Sequence, residues 1–487
     1  MNRTEFDVAV IGGGPAGYVA ALKAASLGAS TALVEKDAPG GTCLNRGCIP
    51  TKTYLKTAEI IHEIGGAARR GIRIADPSLR LDMAQAAAEK NKVVRQLVSG
   101  VTSLLGANGV RMFKALGRLS RTGPGIKKIS LDYGPAGGGE GCPGEIFARQ
   151  VILAGGSGAV RLPLPGLDLE GVLTSTEILD LTEVPERLAI LGGGVIGIEM
   201  AMIFLSFGSR ITVVEAADSL LPMMDGDVSA LILKILRERG GDIRLGTSLK
   251  GIEKNGGGLT LNLSAGPPVS ADKVLLSIGR AADLSCLGDS QIRIEKGKAA
   301  VNEYMETSVP GLWAPGDING QKMLAHAAFK MGEAAAINAA VSLGLAPAGG
   351  RRQKVCLSYT PSVVYTFPEA ASVGLTEGEA RALAGEELLI GRFPLAANGK
   401  ALAAGEPAGF VKALAEKRCG RILGVHMVGP GASEIINEAA ALMAMEITVF
   451  EAAEIMHGHP TVSEALMEAA ADCLGRCLHL PPKKKPG

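Results

Sequence analysis

The sequence predicts an α/β fold in which two units of one kind are followed by a third, mixed segment. Strand-like apolar runs alternate with alanine-rich runs at helical spacing, and twice a glycine-rich turn joins a strand to a helix. At 487 residues the chain exceeds the usual size of one domain, so we expect two or three domains. A hydrophobic fraction of 47% and a charged fraction of 20% indicate a folded protein, and the 66 glycines fit many tight turns.

The first unit starts near the N-terminus. Residues Asp7–Ile11 form a short apolar run that leads into the glycine turn Gly12–Gly17, after which residues 18–27 are alanine-rich at helical spacing. A second strand-like run then ends at Glu35. Strand, glycine turn, helix and strand within about 30 residues form the Rossmann-like unit that binds dinucleotides.

The second unit repeats this order later in the chain. Residues 188–191 lead into the turn Gly192–Gly197, a helix follows, and the closing strand ends at Glu215. One glycine motif alone is as often an ordinary turn, but both motifs here follow a strand, precede a helix and have an acidic residue about 20 positions on. Two units imply two dinucleotide sites, and two dinucleotides in one chain imply that electrons pass between them.

The glycines of each turn have distinct tasks. The first permits the tight turn, the second lets the backbone approach a pyrophosphate, and the third lets helix and strand pack closely. The pyrophosphate rests on the helix N-terminus, where free N–H groups and the helix dipole favour an anion. The cofactor-binding candidates are Gly12, Gly14, Gly17 and Glu35 in the first unit and Gly192, Gly194, Gly197 and Glu215 in the second.

The carboxylate that ends each unit also indicates which nicotinamide cofactor is bound. It is expected to accept hydrogen bonds from the ribose hydroxyls, whereas a site for a 2′-phosphate would place arginines there. Glu215 is followed by Ala216 and Ala217, with no basic residue nearby. The second site therefore favours NAD over NADP.

Two cysteines with four residues between them lie in the segment Gly40–Lys52. As alternatives to a reactive pair, Cys43 and Cys48 could be core residues or half of a metal site, but no further cysteine or histidine close by completes a ligand set. Pro50 predicts a helix that starts just after Cys48. The helix dipole should then lower the pKa of the Cys48 thiol.

This segment resembles the redox-disulfide signature of the flavin-dependent pyridine nucleotide-disulfide oxidoreductases, the family of lipoamide dehydrogenase, glutathione reductase and mercuric reductase. The resemblance implies that Cys48 contacts the flavin of FAD and that Cys43 exchanges with a disulfide or dithiol substrate. It also implies that Lys52 lies beside the reactive nitrogen of the flavin, with Glu199 as its carboxylate partner.

Further motifs extend the resemblance to nearly the whole chain. Trp313–Asp317 is similar to the second flavin motif of the family, in which Asp317 would bind the ribityl chain of FAD. Met323–Ala327, which contains His326, follows as in lipoamide dehydrogenases. By the same resemblance Gly279 is assigned to the NAD site.

Three positions depart from the family pattern. Gly155 stands where threonine is common in the family, and Phe367 stands where histidine is common. The segment around Ala282 lacks the proline and asparagine that usually follow the arginine. These departures affect the expected cofactor contacts without removing a reactive group.

The segment His457–Glu464 is a candidate acid–base site. Thiol–disulfide exchange needs a group that takes and returns a proton, and histidine titrates in the right range. The resemblance implies that His459 is this base and that Glu464 orients it, while His457 has a supporting role. Alternatively, Glu464 closes a capping box with Thr461 at a helix start. In the family this histidine reaches the disulfide of the other subunit, which implies a homodimer.

The resemblance thus predicts two Rossmann-like dinucleotide-binding domains plus an α+β dimerisation domain. We expect residues 1–154 and 280–352 to bind FAD, 155–279 to bind NAD and 353–480 to form the dimerisation domain, with a tail at 481–487. A helical run over residues 83–105 and strand-like runs after residue 352 fit this division.

The activity implied is oxidation of dihydrolipoamide to lipoamide with NAD⁺. The partner would be a lipoyl carrier protein of a 2-oxoacid dehydrogenase or glycine cleavage complex. Alternatives are a reductase of another disulfide that uses NAD(P)H, and a flavin-bearing assembly subunit of a dehydrogenase complex.

Composition argues against several other classes. The formal charge of +1, from 50 basic and 49 acidic residues, gives no basic excess for nucleic acid, and the basic run Lys483–Lys485 is expected to be a solvated tail. No apolar stretch reaches the length of about 18 residues needed for a membrane span, and no signal peptide is seen, so we expect a cytoplasmic protein. There the eight cysteines should mostly be thiols. Cys473 and Cys477 are four apart on a predicted helix and could face each other. Some relatives relay electrons through a second thiol pair on a flexible tail, but this pair lies within an amphipathic helical pattern, which disfavours such a relay.

Overall fold

The computed structural model describes residues 4–74, 79–121, 125–135, 137, 142–345 and 350–481. The basic run of the C-terminal tail lies outside these residues. Two compact units are formed, and both are discontinuous in sequence. Unit 1 comprises Met1–Thr53, Ala84–Val160 and Gly279–Leu357, and unit 2 comprises Tyr54–Met83, Arg161–Ile278 and Ser358–Gly487.

The described residues form helices and strands in alternation, as an α/β fold requires. The helices are α1 (Pro15–Ser26), α2 (Gly41–Arg46), α3 (Cys48–Gly66), α4 (Met83–Ala107), α5 (Val195–Ser206), α6 (Gly226–Glu238), α7 (Ala325–Ser342), α8 (Glu377–Ala384), α9 (Gly399–Ala404), α10 (Ala432–Ala444), α11 (Val449–Ala452) and α12 (Glu464–Cys473). The strands are β1 (Glu5–Ile11), β2 (Thr31–Val34), β3 (Arg111–Phe113), β4 (Leu116–Arg121), β5 (Lys127–Asp132), β6 (Glu145–Leu153), β7 (Ser157–Ala159), β8 (Val172–Thr174), β9 (Arg187–Leu191), β10 (Arg210–Val214), β11 (Asp242–Arg244), β12 (Leu249–Asn255), β13 (Gly258–Leu263), β14 (Val269–Ala271), β15 (Lys273–Leu276), β16 (Arg280–Ala282), β17 (Ile294–Glu295), β18 (Lys298–Ala299), β19 (Leu312–Trp313), β20 (Ser362–Val364), β21 (Ala370–Gly374), β22 (Leu388–Pro394), β23 (Phe410–Glu416) and β24 (Ile422–Val428).

Unit 1 is built on a sheet in the order β3-β2-β1-β6-β5-β4, with β19 also paired to β6. Strands β3, β2, β1, β6 and β19 are parallel, and β5 and β4 continue antiparallel. Alternate residues of β1 face opposite sides: Val8 and Val10 join the cluster under α1 and α7, whereas Ala9 and Ile11 join the cluster on the other face. This period of two is what a strand buried on both faces requires.

Helices α1 and α7 pack closely because both present small residues. A Cβ atom at Gly332 of α7 would overlap the backbone of Ala16 in α1, so glycine is needed at this crossing. Alanines on both helices are fully buried around it. The alanine-rich composition therefore brings the first glycine turn, which starts α1, into a fixed position over the sheet.

Unit 2 contains three main sheets. The order β11-β10-β9-β15-β8 is parallel throughout, β12-β13-β14 is an antiparallel sheet, and β20-β21-β24-β23-β22 is a second antiparallel sheet. Strands β23 and β24 are almost fully buried and pack with α10 and α12 around one core. The predicted fold class is confirmed. The predicted NAD-binding and dimerisation segments fall almost entirely in this one unit, and their division into separate domains stays a prediction.

The two Rossmann-like units repeat at a constant offset. Helix α1 begins at Pro15 and α5 at Val195, both are 12 residues long, and 195 − 15 gives an offset of 180 positions. The same offset relates Gly12 to Gly192 and Glu35 to Glu215, since 192 − 12 and 215 − 35 are both 180. The first copy lies in unit 1 and the second in unit 2.

Candidate active site

The first glycine turn has the geometry that its sequence predicts. Gly12 has φ +98°, a conformation that favours glycine, and a Cβ atom there would overlap the carbonyl oxygen of Ala154. A Cβ atom at Gly17 would overlap the carbonyl oxygen of Gly12. Gly14 is the residue before α1, and no side chain caps the first turn of that helix. The N–H groups of the first turn of α1 are therefore available to an anion.

The second turn repeats this geometry and shows most clearly which glycine serves a ligand. Gly192 has φ +104°, and Cβ atoms at Gly192 and Gly197 would collide with backbone oxygens. A Cβ atom at Gly194, by contrast, would have no described atom within 4 Å. Packing within the protein therefore does not require glycine at Gly194, whereas a pyrophosphate laid against the backbone would. The turn fits a dinucleotide.

The two strand-end carboxylates hold these turns in place. The Gly13 N–H donates to Glu35 Oε2 at 2.6 Å and the Asp37 N–H to Glu35 Oε1 at 2.8 Å. In the second unit the Gly193 N–H donates to Glu215 Oε2 at 2.6 Å and the Ala217 N–H to Oε1 at 2.7 Å. Each oxygen keeps a lone pair that a ribose hydroxyl can use.

Burial raises the pKa of Glu35, and the hydrogen bond from Gly13 opposes this. A carboxylate bonded to the turn was not foreseen from the sequence.

The cysteine segment lies directly on the first glycine turn. The Gly40 N–H donates to Gly13 O at 2.8 Å, and a Cβ atom at Gly41 would lie 2.5 Å from the Gly14 Cα. Helix α2 starts at Gly41 and carries Cys43. Helix α3 includes Cys48, whereas the sequence predicted a start just after it. The segment therefore presents its cysteines where a dinucleotide bound at the first turn would lie.

The two cysteine side chains are adjacent. Both are thiols in this structure, Cys43 half-buried and Cys48 exposed. The hydrogen bond with Cys48 raises the pKa of the Cys43 thiol, burial adds to this, and the charge of Lys52 acts in the opposite direction. Lys52 therefore lies within electrostatic reach of Cys43. A pair of this kind can alternate between dithiol and disulfide.

Glu199, the predicted partner of Lys52, lies on α5 in unit 2 and is 5% exposed. It accepts a hydrogen bond from the Tyr365 N–H at 3.1 Å. Because Lys52 belongs to unit 1, its pairing with Glu199 stays a prediction.

Asp317 is held by two residues that the sequence did not single out. The Ser157 hydroxyl donates to Asp317 Oδ2 at 2.5 Å, and Arg280 Nε donates to the Ser157 Oγ at 2.8 Å. Burial lowers the pKa of Arg280, while Asp317 and Cys48 oppose the shift. Unit 1 thus brings Arg280 and Asp317 close to the cysteine pair. No local sequence signal could identify this set, because Ser157 lies 123 and 160 positions from its two partners.

The remaining predicted cofactor residues are placed as follows. His326 is the second residue of α7. Gly279 has φ +129°, and its carbonyl oxygen accepts a hydrogen bond from the Val160 N–H at 3.0 Å. It belongs to unit 1, so its assignment to the NAD site stays a prediction.

The three departures from the family pattern lie in defined local surroundings, and at Gly155 the packing excludes the residue that is common in the family. A Cβ atom at Gly155 would lie 2.5 Å from the Asp283 carbonyl oxygen, so this site has no room for threonine. Ala282 pairs with Ser157 in the two-stranded β16–β7 sheet. The Phe367 ring stacks on His62 with centroids 6.3 Å apart, and Arg239 donates to the Phe367 carbonyl at 3.0 Å.

His459 and Glu464 are directly bonded. His459 Nδ1 lies 2.8 Å from Glu464 Oε1, and the Thr461 N–H donates to Glu464 Oε2 at 2.7 Å. The capping box of Thr461 and Glu464, which the sequence left as an alternative, is not formed. Glu464 is the first residue of α12, its N-cap is Ser463, and the Thr461 hydroxyl donates to the Gly458 carbonyl. The carboxylate instead holds His459 and the Thr461 N–H. Of the two side chains, His459 is 79% exposed and Glu464 is 21% exposed.

The environment of Glu464 favours its ionised form. Burial acts to raise its pKa, but the hydrogen bonds from Thr461 and His459 and the charges of His459 and His457 outweigh it, and the pKa is lowered. An ionised Glu464 accepts a hydrogen bond from Nδ1–H of His459 and fixes the tautomer in which Nε2 is the basic nitrogen. His459 is thereby prepared to take a proton at Nε2.

These features agree with the comparison to protein families. Residues 6–332 match the family described as pyridine nucleotide-disulphide oxidoreductase, and residues 360–470 match its dimerisation domain. The chain belongs to the pyridine nucleotide-disulphide oxidoreductase family. As a member of this family it is an FAD- and NAD-dependent disulfide oxidoreductase.

Curated relatives cover the chain almost end to end. It is 39% identical over 490 residues to a dihydrolipoyl dehydrogenase of Bacillus subtilis, covering 98% of this chain and 99% of that protein. It is 37% identical over 486 residues to the mitochondrial dihydrolipoyl dehydrogenase of Pisum sativum, covering 98% and 93%. A leghemoglobin reductase of Vigna unguiculata is 39% identical over 476 residues, covering 96% and 87%.

Solved structures show the same likeness. The crystal structure of LpdA from Mycobacterium tuberculosis matches with a TM-score of 0.85 at 28% identity, covering 96% of this chain and 99% of that one. The HOCl-induced flavoprotein disulfide reductase RclA from Escherichia coli matches with a TM-score of 0.81 at 26% identity, covering 96% and 99%.

One prediction about this oxidoreductase was wrong. Cys473 and Cys477 do not share a helix, because α12 ends at Cys473 and Gly475 follows in the left-handed conformation at φ +65°. Cys473 is buried with its thiol directed to the Ala413 carbonyl at 3.4 Å, and Cys477 donates to Glu468 Oε2 at 3.0 Å. Burial, together with Glu468, raises the pKa of Cys477 to about 11.

The described residues contain no group of three or more His, Cys, Asp or Glu side chains arranged to hold a metal ion. Within the same part of the chain, no helix is both long and apolar enough to cross a membrane.

Proposed function

We propose that this enzyme oxidises dihydrolipoamide to lipoamide with NAD⁺ through the Cys43–Cys48 pair. The observation that carries the proposal is the position of this pair on the first nucleotide turn, where Gly41 packs against Gly14. A thiol pair placed there can pass electrons to a flavin at that turn. The full-length likeness to dihydrolipoyl dehydrogenases supports lipoamide as the substrate.

The residues of the two turns would hold the cofactors. The first turn and Glu35 would bind FAD, with Asp317 held for its ribityl chain by Ser157 and Arg280, and the second turn and Glu215 would bind NAD. When bound, FAD would supply the two-electron carrier between the dithiol and NAD⁺. All other tasks fall to the side chains of this chain.

The first substrate thiol loses its proton to His459 Nε2, while Glu464 holds Nδ1–H. The resulting thiolate attacks Cys43 in the oxidised Cys43–Cys48 pair, so that a bond between the substrate sulfur and Cys43 forms and Cys48 leaves as a thiolate. The second substrate thiol then attacks the same substrate sulfur. This breaks the bond to Cys43 and closes lipoamide. Cys43 leaves with the proton of the second substrate thiol, while His459 keeps the first proton and Cys48 remains a thiolate.

The active form would be a homodimer, in which His459 serves the disulfide of the second subunit. The matched dimerisation domain supports this assembly, and the high exposure of the His459 side chain is consistent with a role outside its own subunit. The natural substrate would be a lipoyl group on a carrier protein of a 2-oxoacid dehydrogenase or glycine cleavage complex.

A second candidate is the reduction of another acceptor by NADH. Leghemoglobin reductases are as similar to this chain as several dihydrolipoyl dehydrogenases are, so overall identity does not separate the two activities. Glu215 and its alanine neighbours favour NADH over NADPH for either reaction.

The test is NAD⁺ reduction by free dihydrolipoamide, run beside NADP⁺ and beside NADH-driven reduction of glutathione disulfide and of leghemoglobin. We expect turnover with dihydrolipoamide and NAD⁺, its loss in Cys43→Ser, and no change in Cys419→Ser, which alters an exposed thiol. Cys43→Ser should still reduce ferricyanide with NADH, because that reaction does not need the dithiol. An enzyme that accepts electrons from NADH but ignores lipoamide in both directions would refute lipoamide as the substrate.

A further inference from the structure

His457 lies two residues before the proposed base, and both of its ring nitrogens are hydrogen-bonded. Nδ1 lies 2.9 Å from the carbonyl oxygen of Ile455, and Nε2 lies 2.8 Å from Glu438 Oε1. The His457 side chain is 8% exposed and Glu438 is 33% exposed. Glu438 belongs to α10, so the pair joins this helix to the segment that carries His459.

The hydrogen-bond partners of His457 determine which of its ring nitrogens carry a hydrogen. A carbonyl oxygen can only accept, so Nδ1 must carry a hydrogen that it donates to Ile455. The contact with Glu438 requires one further hydrogen between Nε2 and Oε1. The pair is therefore an imidazolium beside a carboxylate, or a neutral imidazole beside a carboxylic acid, and in neither state can His457 take a proton from a substrate.

The two histidines of the segment are thus distinguished by their second nitrogen. In His459 only Nδ1 has a hydrogen-bond partner among the contacts of the described residues, and the side chain is 79% exposed. In His457 both nitrogens are engaged and the ring is buried. His459 is therefore suited to proton transfer, and His457 is suited to holding the backbone in position.

We propose that Glu438 and His457 are positioning residues that place the His459 ring for proton transfer. Residues 453–463 contain no helix or strand, so side-chain contacts must fix the segment. The Glu438–His457 pair anchors it before His459. After His459, Asn398 Nδ2 donates to the Thr461 carbonyl at 3.0 Å, and Glu464 holds the Thr461 N–H.

The inference rests on the proposed function, and the test separates the two. In the full-length enzyme with FAD, Glu438→Ala should lower kcat for dihydrolipoamide oxidation by about 10- to 100-fold, the size of effect expected when a reacting group is misplaced by about 1 Å. KM for NAD⁺ and the rate of ferricyanide reduction by NADH should stay unchanged, because neither uses His459.

Two variants distinguish positioning from a general loss of folding. Glu438→Gln should restore most of the activity, because its amide can donate to a neutral Nε2 and keep the ring in place. Glu434→Ala is the matched control, since it removes an exposed carboxylate one turn earlier on the same helix and should have wild-type kcat. The double variant Glu438→Ala, His457→Ala should be no worse than either single change, because paired residues act as a unit.

Each result has a definite meaning. Absence of dihydrolipoamide oxidation in the wild-type enzyme would overturn the proposed function and this inference with it. A working wild-type enzyme whose Glu438→Ala variant keeps full kcat would overturn the inference alone. So would an equal loss in ferricyanide reduction, which would show damage outside the proton-transfer step.

Discussion

The buried lysine of unit 2 provides a quantitative test of the fold. Lys412 of β23 is 2% exposed, and its Nζ lies 2.5 Å from Asp225 Oδ1, 2.9 Å from Glu377 Oε2 and 3.0 Å from Asp227 Oδ2. Asp225 is the N-cap of α6 and Glu377 begins α8. Lys412→Met would keep the aliphatic chain and remove the charge that these carboxylates share.

The expected cost follows from what the substitution leaves behind. Removal of one partner of a buried ion pair costs about 3–5 kcal/mol, because the other charge is left uncompensated. Asp225 is 1% exposed, but it keeps hydrogen bonds from the Asp227 and Glu377 N–H groups, which favours the lower end of that range. Asp227 and Glu377 are 41% and 29% exposed, so water can screen them. For a unit or chain of this size a loss of about 3 kcal/mol corresponds to a fall in Tm of roughly 3–5 °C.

The effect should depend on pH in a defined direction. In the wild-type protein burial acts to raise the pKa of Asp225, but Lys412, the Glu377 N–H and the nearby His426 outweigh it and lower the pKa. A lowered carboxylate pKa stabilises the fold above the ordinary value and stops doing so as pH falls through the folded value. Without Lys412 the carboxylate protonates more readily. The Tm deficit of Lys412→Met should therefore shrink on acidification.

Scanning calorimetry with saturating FAD, at neutral pH and at mildly acidic pH, is the appropriate measurement. The matched control is Lys234→Met, because Lys234 is 69% exposed and pairs with Glu238 only on the surface, where an ion pair contributes about 0–1 kcal/mol. If Lys412→Met melts no lower than Lys234→Met, or if its deficit does not shrink in acid, the buried-charge argument is refuted.

Three further predictions concern the site itself. Gly194→Ala should leave the Tm unchanged, because its new methyl group meets no described atom, and should raise KM for NAD⁺. Gly197→Ala should lower the Tm, because its methyl group would overlap the Gly192 carbonyl. Steady-state kinetics and thermal melts separate the two variants. Glu464→Gln should reduce kcat for dihydrolipoamide by about 10²–10⁴-fold with unchanged ferricyanide reduction, since an amide that donates to Nδ1 leaves Nε2 protonated. Glu215→Ala should weaken NAD⁺ binding far more than NADP⁺ binding, as measured by titration with Tm recorded beside it, and an equal loss for both cofactors would contradict the cofactor argument.

Local patterns predicted the parts of the fold that local interactions decide. The two glycine turns, their helices and their strand-end carboxylates lie within short stretches, so spacing alone placed them. The helix predicted over residues 83–105 is α4, Met83–Ala107, because its signal is a long run at helical spacing. The end of α12 also has a local signal in the sequence, because Gly475, which lies before Cys477, is the type of residue that terminates a helix.

Contacts between distant segments could not be predicted in the same way. The Ser157–Asp317 hydrogen bond spans 160 positions, and the Lys412–Asp227 contact spans 185. No period or motif in one segment indicates which residue of another will face it. His457 and Glu438 are 19 positions apart. The sequence motif identified His457, but only the position of α10 in the fold shows that Glu438 is its partner.

Several candidate site residues also hold the local structure that surrounds them. Glu35 and Glu215 each bind the N–H groups of their own glycine turn, and Glu464 binds Thr461 at the start of α12 while it holds His459. Replacement of such a carboxylate by alanine removes both functions, so a loss of activity would not identify which one mattered. Glutamine at position 464 keeps an acceptor for the Thr461 N–H and changes only the charge and the hydrogen bond to His459. At Glu35 and Glu215 both oxygens accept backbone N–H groups, so the amide NH₂ of glutamine would face one of these donors. For Glu464 the glutamine variant, with Tm measured beside kcat, is therefore the informative substitution.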